Sequence, residues 1–395
     1  MDCINALMKL KDYFRPVNLN SISNSAPFHR GSWASNIAHS SQLNSQHSIE
    51  KYQIALIGLT DERNTANKGC KDGALAIRQA LYRLAAPSNN MKIIDLGDLI
   101  EGKTANDTYF ALSYVCATLK KANVIPILLG ADQDQTLGVV KGFVNDQEKL
   151  NLVSIDSKID WDIDYESFNA QNYLSEIVNQ HEDSIWEITV LGHQSYLTEQ
   201  ERYHAFSKKH FDDIRLGELR GKIYKAEPVY RDAHIVSFDI SAVRYCDSPG
   251  HINANPNGLY AEEFCQLARY AGLSSKISAA VFSGLNPKFD NRSVSAQLTA
   301  QAIWYFIDGL QHRINDHSTV PSSDHKRYSV VIEDIDFPLT FYKSLQTERW
   351  WMEINWKNSS KDKVIVACTE DDYRIACNNE VPETWWRNFK KGSNL

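Results

Sequence analysis

The 395-residue sequence lacks the marks of several protein classes. Its seven cysteines include no Cys-x-x-Cys pair, which favours reduced thiols, and no stretch of about 18 consecutive apolar residues occurs. The first residues contain no apolar core of signal-peptide length, so we expect a cytoplasmic protein without membrane insertion. There is no basic run, and a net charge of -7 with a pI near 6.0 argues against a nucleic-acid surface.

Common catalytic motifs are also missing, namely G-x-S-x-G, H-E-x-x-H and G-x-G-x-x-G. Residues 97–104 (GDLIEGKT) do fit the phosphate-loop pattern between a predicted strand and a predicted helix. Asp98 and Glu101 would bring negative charge toward the phosphates. The acidic strand predicted at residues 330–334 could be its magnesium-holding companion, but it lies far along the chain. Nucleotide hydrolysis is therefore a weak alternative.

Continuous apolar runs alternate with helical patterns from residue 54 onward. Strands are predicted at residues 54–59, 91–96, 124–129, 152–155, 186–191, 234–238 and 278–282. Helices are predicted at residues 74–84, 107–120, from about 135, 261–271 and 293–310. Apolar strands separated by amphipathic helices are typical of a mostly parallel sheet covered on both faces, so the predicted fold class is α/β.

Composition divides the chain into three parts. Residues 1–49 form an N-terminal extension to the α/β domain of residues 50–315. Residues 18–48, rich in Ser, Asn and His, are expected to be loosely ordered or draped over that domain. A polar break at 315–326 leads into a C-terminal region, residues 316–395, that contains Trp350, Trp351, Trp356, Trp385 and Trp386. Docking of these rings onto the main domain is the simpler interpretation, and a partner or ligand surface is the alternative.

Four short polar stretches lie at predicted strand ends or in turns beside them. They are residues 130–134 (GADQD), 156–160 (DSKID), 237–241 (SFDIS) and 247–250 (DSPG). The carboxyl ends of parallel strands meet at one sheet edge, where sites are assembled. Carboxylates gathered there are costly to leave unpaired, so they normally hold a cation or a basic side chain.

Together these stretches resemble the motifs GGDHS, DAHxD and SxDxDxxDP of the ureohydrolase superfamily, which includes arginase, agmatinase and formimidoylglutamase. Supporting matches occur at residues 68–73, 76–78, 95–98, 249–250, 257–259 and 286–287. The resemblance extends over about residues 50–312 in the family's order. It implies a three-layer arginase-like fold and two manganese ions, which activate a bridging water for attack on a guanidinium or amidine carbon.

The resemblance places six metal-ligand positions at Gln133, Asp156, Lys158, Asp160, Asp239 and Ser241. Three of them depart from the family's pattern. Gln133 and Lys158 stand where histidines belong, and Ser241 stands where an aspartate belongs. This departure puts activation of water by two metals in doubt, because a metal site requires a defined number and geometry of ligands.

The two implied metal positions are unequally affected. The first would use Gln133, Asp156, Asp160 and Asp239, an all-oxygen set suited to one Mn²⁺ or Mg²⁺ ion. The second would include Lys158, whose ammonium cannot ligate a metal and would take roughly the ion's place and charge. We therefore expect no cofactor, or at most one divalent cation. A purely structural ion-pair network that stiffens the sheet edge is the alternative.

Two further positions depart from the family. Its guanidinium-binding acidic residue before Asn-Pro aligns with Gly284 or Ser283, and residues 161–180 contain no histidine that could shuttle a proton. The sequence therefore favours a ureohydrolase-fold protein without dimanganese hydrolase activity, acting as a binding, regulatory or scaffolding component.

The alternative is a metal-dependent C-N hydrolase of amidines or guanidines, formimidoylglutamase-like, with a rearranged site. We expect a protein partner or a small-molecule ligand in the first case, and the resemblance implies homo-oligomers.

Overall fold

A computed structural model describes residues 10–23, 28–40, 49–87, 91–144, 149–209, 211–316, 322–333, 335–355 and 363–393. Within these ranges the chain forms one large, mostly parallel sheet with helices on both faces and a smaller antiparallel sheet near the C-terminus. None of the helices in this described part has both the length and the apolarity needed to span a bilayer.

Ten strands build the main sheet. They are β1 (Phe14–Arg15), β2 (Ala38–His39), β3 (Ile54–Leu59), β4 (Ile93–Leu99), β5 (Ile125–Gly130), β6 (Leu150–Ile155), β7 (Ile185–His193), β8 (Asp212–Arg215), β9 (Ile235–Asp239) and β10 (Ala279–Ser283). Their order is β1-β4-β3-β5-β10-β9-β6-β7-β8, and β2 also pairs with β4. Every pairing is parallel except that of β1 with β4. The carboxyl ends of β5, β10, β9 and β6 therefore lie side by side.

Helices cover both faces of the sheet. They span Leu19–Ser23, Gly73–Leu81, Ala105–Lys121, Thr136–Phe143, Tyr173–His181, Gln200–Lys208, Leu216–Leu219, Glu227–Arg231, Ala261–Leu273 and Val294–Gln311. All six residues of β3 are buried, and Ile54 and Leu56 join one core while Ala55 and Ile57 join the other. Side chains alternate across a strand, so a strand with helices on both faces must be apolar throughout. The structure confirms the predicted α/β class and the three-layer arrangement.

Part of the N-terminal extension belongs to the main sheet. Both β1 and β2 pair with β4, and Ile22 and Trp33 are buried in the core on one face. The described residues of the 18–48 stretch therefore lie against the main domain, and Ile22 and Trp33 add apolar side chains to its core. The division of the chain at residue 49 stays a prediction. Residues 24–27 and 41–48 lie outside the described part of the chain.

The phosphate-loop interpretation is wrong. Gly97 and Asp98 lie within β4, and Asp98 pairs with the buried guanidinium of Arg78. Thr104 caps the helix Ala105–Lys121: its hydroxyl accepts the N–H of Asp107, whose carboxylate accepts the N–H of Thr104 at 2.8 Å. The hydroxyl and backbone N–H of Thr104 are therefore engaged in capping the helix, and the first residues of the supposed loop belong to a strand. The proposed companion strand ends at Val330, in a different sheet, and residue 334 lies outside the described part.

The smaller sheet has four antiparallel strands in the order β11-β12-β13-β14. They are β11 (His325–Val330), β12 (Leu339–Ser344), β13 (Trp350–Asn355) and β14 (Lys363–Cys368). The helices Glu370–Cys377 and Glu383–Ser393 follow them. Trp350 and Trp385 are buried in the core of this region, Trp351 is also buried, and Trp386 is 45% exposed. Trp356 lies outside the described residues.

The C-terminal region packs against the main domain through polar contacts. Arg231 donates to the carbonyl of Trp350 at 2.6 Å, and its guanidinium lies 5.0 Å from the ring centroid of Trp351. Lys391, on the helix Glu383–Ser393, pairs with Asp212 on the edge strand β8 at 3.1 Å and also with Glu187 on the neighbouring strand β7. These contacts lie away from the carboxyl ends of the central strands.

Candidate functional site

The carboxyl ends of the central strands carry the polar stretches found in the sequence. Asp132 follows β5, Asp156 and Asp160 follow β6, and Asp239 ends β9. Because β5, β10, β9 and β6 are neighbours, side chains more than 100 residues apart in sequence line one cavity of about 320 Å³. Asp247 is absent from its lining and pairs instead with Arg244 at 2.8 Å.

Asp156 is the most heavily bonded carboxylate of the site. Its Oδ1 accepts the backbone N–H of Lys158 at 3.2 Å and the hydroxyl groups of Ser157 and Ser241, each at 3.4 Å. The two hydroxyl oxygens are 3.2 Å apart. Ser241 therefore acts as a hydrogen-bond donor to Asp156, where the family's aspartate would have supplied a second carboxylate to a metal.

The side-chain amide of Gln133 joins the two acidic residues of the β6 turn. One end of this amide lies 2.7 Å from Asp156 Oδ2 and 3.0 Å from Asp160 Oδ2. Nitrogen at that end satisfies both carboxylates, because the amide then donates a hydrogen bond to each of them. Rotation of the amide would bring its oxygen to the same place, beside two carboxylate oxygens. Oxygen ligands about 2.1 Å from an octahedral cation lie about 3 Å from one another. The arrangement therefore suits either an amide bridge or one small hard cation.

Lys158 is ion-paired inside the cavity. Its Nζ lies 3.1 Å from Asp160 Oδ1, and its side chain is 26% exposed. Burial opposes its positive charge, but the carboxylates of Asp160 and Asp156 outweigh that effect and raise the pKa of Lys158. The ammonium consequently stays charged at neutral pH and cannot serve as a metal ligand.

Asp239 is held by its own turn and by a glycine on the neighbouring strand end. Its Oδ1 accepts the backbone N–H of Ser241 at 2.6 Å. Gly284, just after β10, has φ +83°, and a Cβ on it would lie 2.8 Å from that same oxygen. Gly284, one of the two positions that align with the family's guanidinium-binding carboxylate, therefore has no space for a side chain.

The carboxylates of the site repel one another. Burial, reinforced by the charges of Asp160 and Asp239, raises the pKa of Asp156 well above its usual range. Burial also raises the pKa of Asp160, against the opposing effect of Lys158, and burial with the charge of Asp132 raises the pKa of Asp239 to about 8. Such a cluster favours the uptake of protons or of a cation.

The sequence analysis missed two members of this site, Asp132 and His251. Asp132 accepts the hydroxyl of Thr65 and the backbone N–H of Gln133, the latter at 2.9 Å. Ligand atoms of Asp132, Asp239 and His251 all lie within 4.8 Å of one another. Asp132 lies within the stretch 130–134, which could have indicated it, whereas His251 follows the 247–250 turn and has no spacing signal.

A scan against protein-family models matches residues 52–308 to the arginase family. The chain belongs to the arginase family. Formimidoylglutamase of Bacillus subtilis (strain 168) is 22% identical over 286 residues, which cover 65% of this chain and 87% of that protein. The family accounts for the order of the motifs along the main domain.

Solved structures of relatives share this fold. The crystal structure of formimidoylglutamase from Bacillus subtilis subsp. subtilis str. 168 has a TM-score of 0.66 at 17% identity, covering 78% of this chain and 98% of that one. Formiminoglutamase of Trypanosoma cruzi, solved with Mn²⁺, has a TM-score of 0.62 at 19% identity, covering 67% and 95%. The extra length of this arginase-family chain includes the C-terminal sheet.

The geometry of this arginase-family site bears on how many divalent cations it could hold. With the amide oxygen of Gln133 turned toward Asp156 Oδ2 and Asp160 Oδ2, these three side chains and Asp239 in the same cavity could supply oxygen ligands to one hard cation. A second ion would have to lie beside the Lys158 ammonium, which would repel it, and would find a hydroxyl at Ser241 in place of a carboxylate. The expectation of at most one divalent cation is compatible with this geometry.

Proposed function

We propose that this arginase-family protein hydrolyses a C-N bond of a linear amidine, as a formimidoylglutamase does, with one Mn²⁺ or Mg²⁺ ion in a rearranged site. The observation that carries the proposal is that one end of the Gln133 amide lies 2.7 Å from Asp156 Oδ2 and 3.0 Å from Asp160 Oδ2, so that these side chains can gather around one small cation when the amide oxygen is turned toward it. The likeness to formimidoylglutamases supports the substrate class.

The reaction adds water to the amidine carbon of R–NH–CH=NH. The carbon-to-amine bond then breaks, releasing R–NH2 and formamide, so all atoms of the water appear in the products. A divalent cation bound at Gln133, Asp156, Asp160 and Asp239 would act as a Lewis acid and lower the pKa of a water.

The chain's own residues orient this chemistry. The Ser241 N–H fixes Asp239 through Oδ1, which leaves Oδ2 as an acceptor for a proton of the attacking water. Lys158 balances part of the negative charge, a role that a second metal has in the family pattern. The cavity of about 320 Å³ has room for a small amidine group.

The test combines metal analysis with a product assay. Purified protein, incubated with Mn²⁺ or Mg²⁺ and dialysed, should retain up to one equivalent per chain and should release formamide from N-formimidoyl-L-glutamate. The Asp156→Ala variant should lose turnover while its fold, followed by circular dichroism, persists. Absence of formamide at every metal concentration would contradict the proposal.

A non-catalytic binding or regulatory role is the second candidate. It is favoured by the Lys158–Asp160 ion pair, because a metal ion would need the carboxylate of Asp160 as a ligand. In that case the purified protein would retain no metal and turn over no amidine or guanidine. A small-molecule ligand would still stabilise it in thermal unfolding, through the same cavity, by mass action.

A further inference from the structure

His251 places a hydrogen-bond donor in the wall of the cavity. The residue is 8% exposed, and its Nδ1 accepts the backbone N–H of Asn253 at 3.0 Å. A neutral imidazole that accepts at Nδ1 carries its proton on Nε2. Within the described part of the chain, that Nε2–H has no hydrogen-bond partner, so it is available to a ligand.

The Nε2-protonated tautomer distinguishes His251 from the metal-binding histidines of other proteins. A ligating histidine normally donates its second ring N–H to a carboxylate, carbonyl or water, which leaves the other nitrogen free to bind the ion. Here Nδ1 faces another N–H, and Nε2 carries the proton. The cluster of Asp132, Asp239 and His251 is therefore two acceptors and one donor, rather than three metal ligands.

Lys158 supplies a second donor in the same cavity. One carboxylate oxygen, Asp160 Oδ1, lies within ion-pair distance of its ammonium, and an ammonium has three N–H groups. Both Lys158 and His251 line the cavity. At Gly284 no side chain can enter to bind a guanidinium cation. The site thus presents N–H donors where a metal ion and a carboxylate would be expected.

We propose that Lys158 Nζ and His251 Nε2–H bind an oxygen carried by the reacting carbon, so that the cavity accepts a carboxamide more tightly than the matching amidinium. The inference rests on the proposed C-N hydrolase function, because water adds such an oxygen to the amidine carbon during that reaction. A protonated amidine offers only N–H donors, which suit Asp132 and Asp239 but oppose Lys158 and His251. A carboxamide offers both an oxygen and an N–H.

A matched pair of ligands tests this inference directly. N-formyl-L-glutamate and N-formimidoyl-L-glutamate differ only in carrying oxygen or nitrogen on the one-carbon group. Both ligands are titrated calorimetrically into the full chain carrying Asp156→Ala, which prevents turnover of the amidine. The formyl compound should bind this variant about tenfold more tightly than the amidine, which is the effect of one hydrogen bond.

Variants at His251 test whether its Nε2–H donates the hydrogen bond to the ligand oxygen. His251→Leu should lose about tenfold in affinity for N-formyl-L-glutamate, and His251→Gln, which keeps an N–H near the same place, should recover most of it. His204→Leu, a change at an exposed histidine outside the cavity, should leave the affinity unchanged. Thermal unfolding establishes that each variant is folded.

Three results would overturn the inference: tighter binding of the amidine, equal binding of both ligands, or an unchanged affinity in the folded His251→Leu variant. Binding of neither ligand would also overturn it. The proposed function has a separate criterion, the release of formamide from the amidine. An enzyme that turns over the amidine but prefers it to the formyl compound would refute only the inference.

Discussion

Lys158 Nζ lies 3.1 Å from Asp160 Oδ1, so a fixed cation of the chain itself sits among the carboxylates of an arginase-family site. The sequence pattern had placed this lysine at a metal position. The structure adds its partner, and with it an electrostatic reason why a second metal ion does not fit. Several measurable consequences depend on this pair and on the residues around it.

Removing the lysine charge should destabilise the metal-free protein. Lys158→Met leaves Asp156, Asp160 and Asp239 without their internal cation, and loss of one partner of a buried pair costs about 3 kcal/mol. Urea unfolding in EDTA measures the change. Because the added ion would replace the lost charge, Mn²⁺ should restore more stability to Lys158→Met than to the parent. Equal stabilisation of both proteins would contradict a shared position for ammonium and metal.

Asp239 should make the metal-free protein less stable as pH rises. Its pKa is raised to about 8 by burial and by Asp132, whereas an unfolded aspartate has a pKa of about 4. Between these values the folded state binds more protons than the unfolded state, so this group lowers the free energy of unfolding as pH increases.

The Asp239→Asn variant should lack that contribution. In EDTA at about pH 8 we expect it to be more stable than the parent by about 1 to 2 kcal/mol, with a smaller difference at about pH 5. Urea unfolding at the two pH values gives the comparison. A variant that is less stable than the parent at the higher pH would show that Asp239 is not under electrostatic strain.

The missing metal position should be recoverable. A triple variant, Gln133→His with Lys158→His and Ser241→Asp, restores the ligand types of the family pattern and should retain two equivalents of Mn²⁺ after dialysis. The double variant Gln133→His with Ser241→Asp keeps Lys158 and is the matched control. It should retain no more than one equivalent. Two equivalents in the control would mean that the lysine does not exclude the second ion.

Gly284 should be intolerant of any side chain. A Cβ would lie 2.8 Å from Asp239 Oδ1, and φ is +83°, so Gly284→Ala should cost about 1 to 3 kcal/mol. Gly217 is a suitable control, since a Cβ there has nothing within 4 Å. Gly217→Ala should be neutral or slightly stabilising. Urea unfolding of the two variants should separate them, and similar stabilities would show that Gly284 is not needed for the position of Asp239.

Arg231 should hold the C-terminal sheet against the main domain. Arg231→Met removes a hydrogen bond to the Trp350 carbonyl and the contact with the Trp351 ring, with an expected cost of about 2 kcal/mol. Tryptophan fluorescence and limited proteolysis should report a more accessible C-terminal region. Arg374→Met, at an exposed helix position, should change neither readout. Unchanged proteolysis of the Arg231 variant would mean that other contacts hold the C-terminal region against the main domain.

Much of the main domain could be predicted because its strands are buried on both faces and are therefore apolar throughout. The strand predicted at residues 54–59 coincides with β3, and the helix Ala261–Leu273 begins at the predicted residue. Less periodic elements were missed. The helix Tyr173–His181 lies between the strands predicted at residues 152–155 and 186–191, where no helix was predicted. Strand β8 (Asp212–Arg215) was missed because it has a single apolar residue among four.

The sequence alone determined which side chains stand at the motif positions: Gln133, Lys158 and Ser241, with three aspartates beside them. Only the tertiary structure decided what they touch. The order of strands in the sheet brings Ser241 to Asp156 as a hydrogen-bond donor and Gly284 next to Asp239. It also brings His251 to the cavity. Local patterns specify strands and turns, but strand order is set by packing between distant segments, so these contacts cannot be read from the chain.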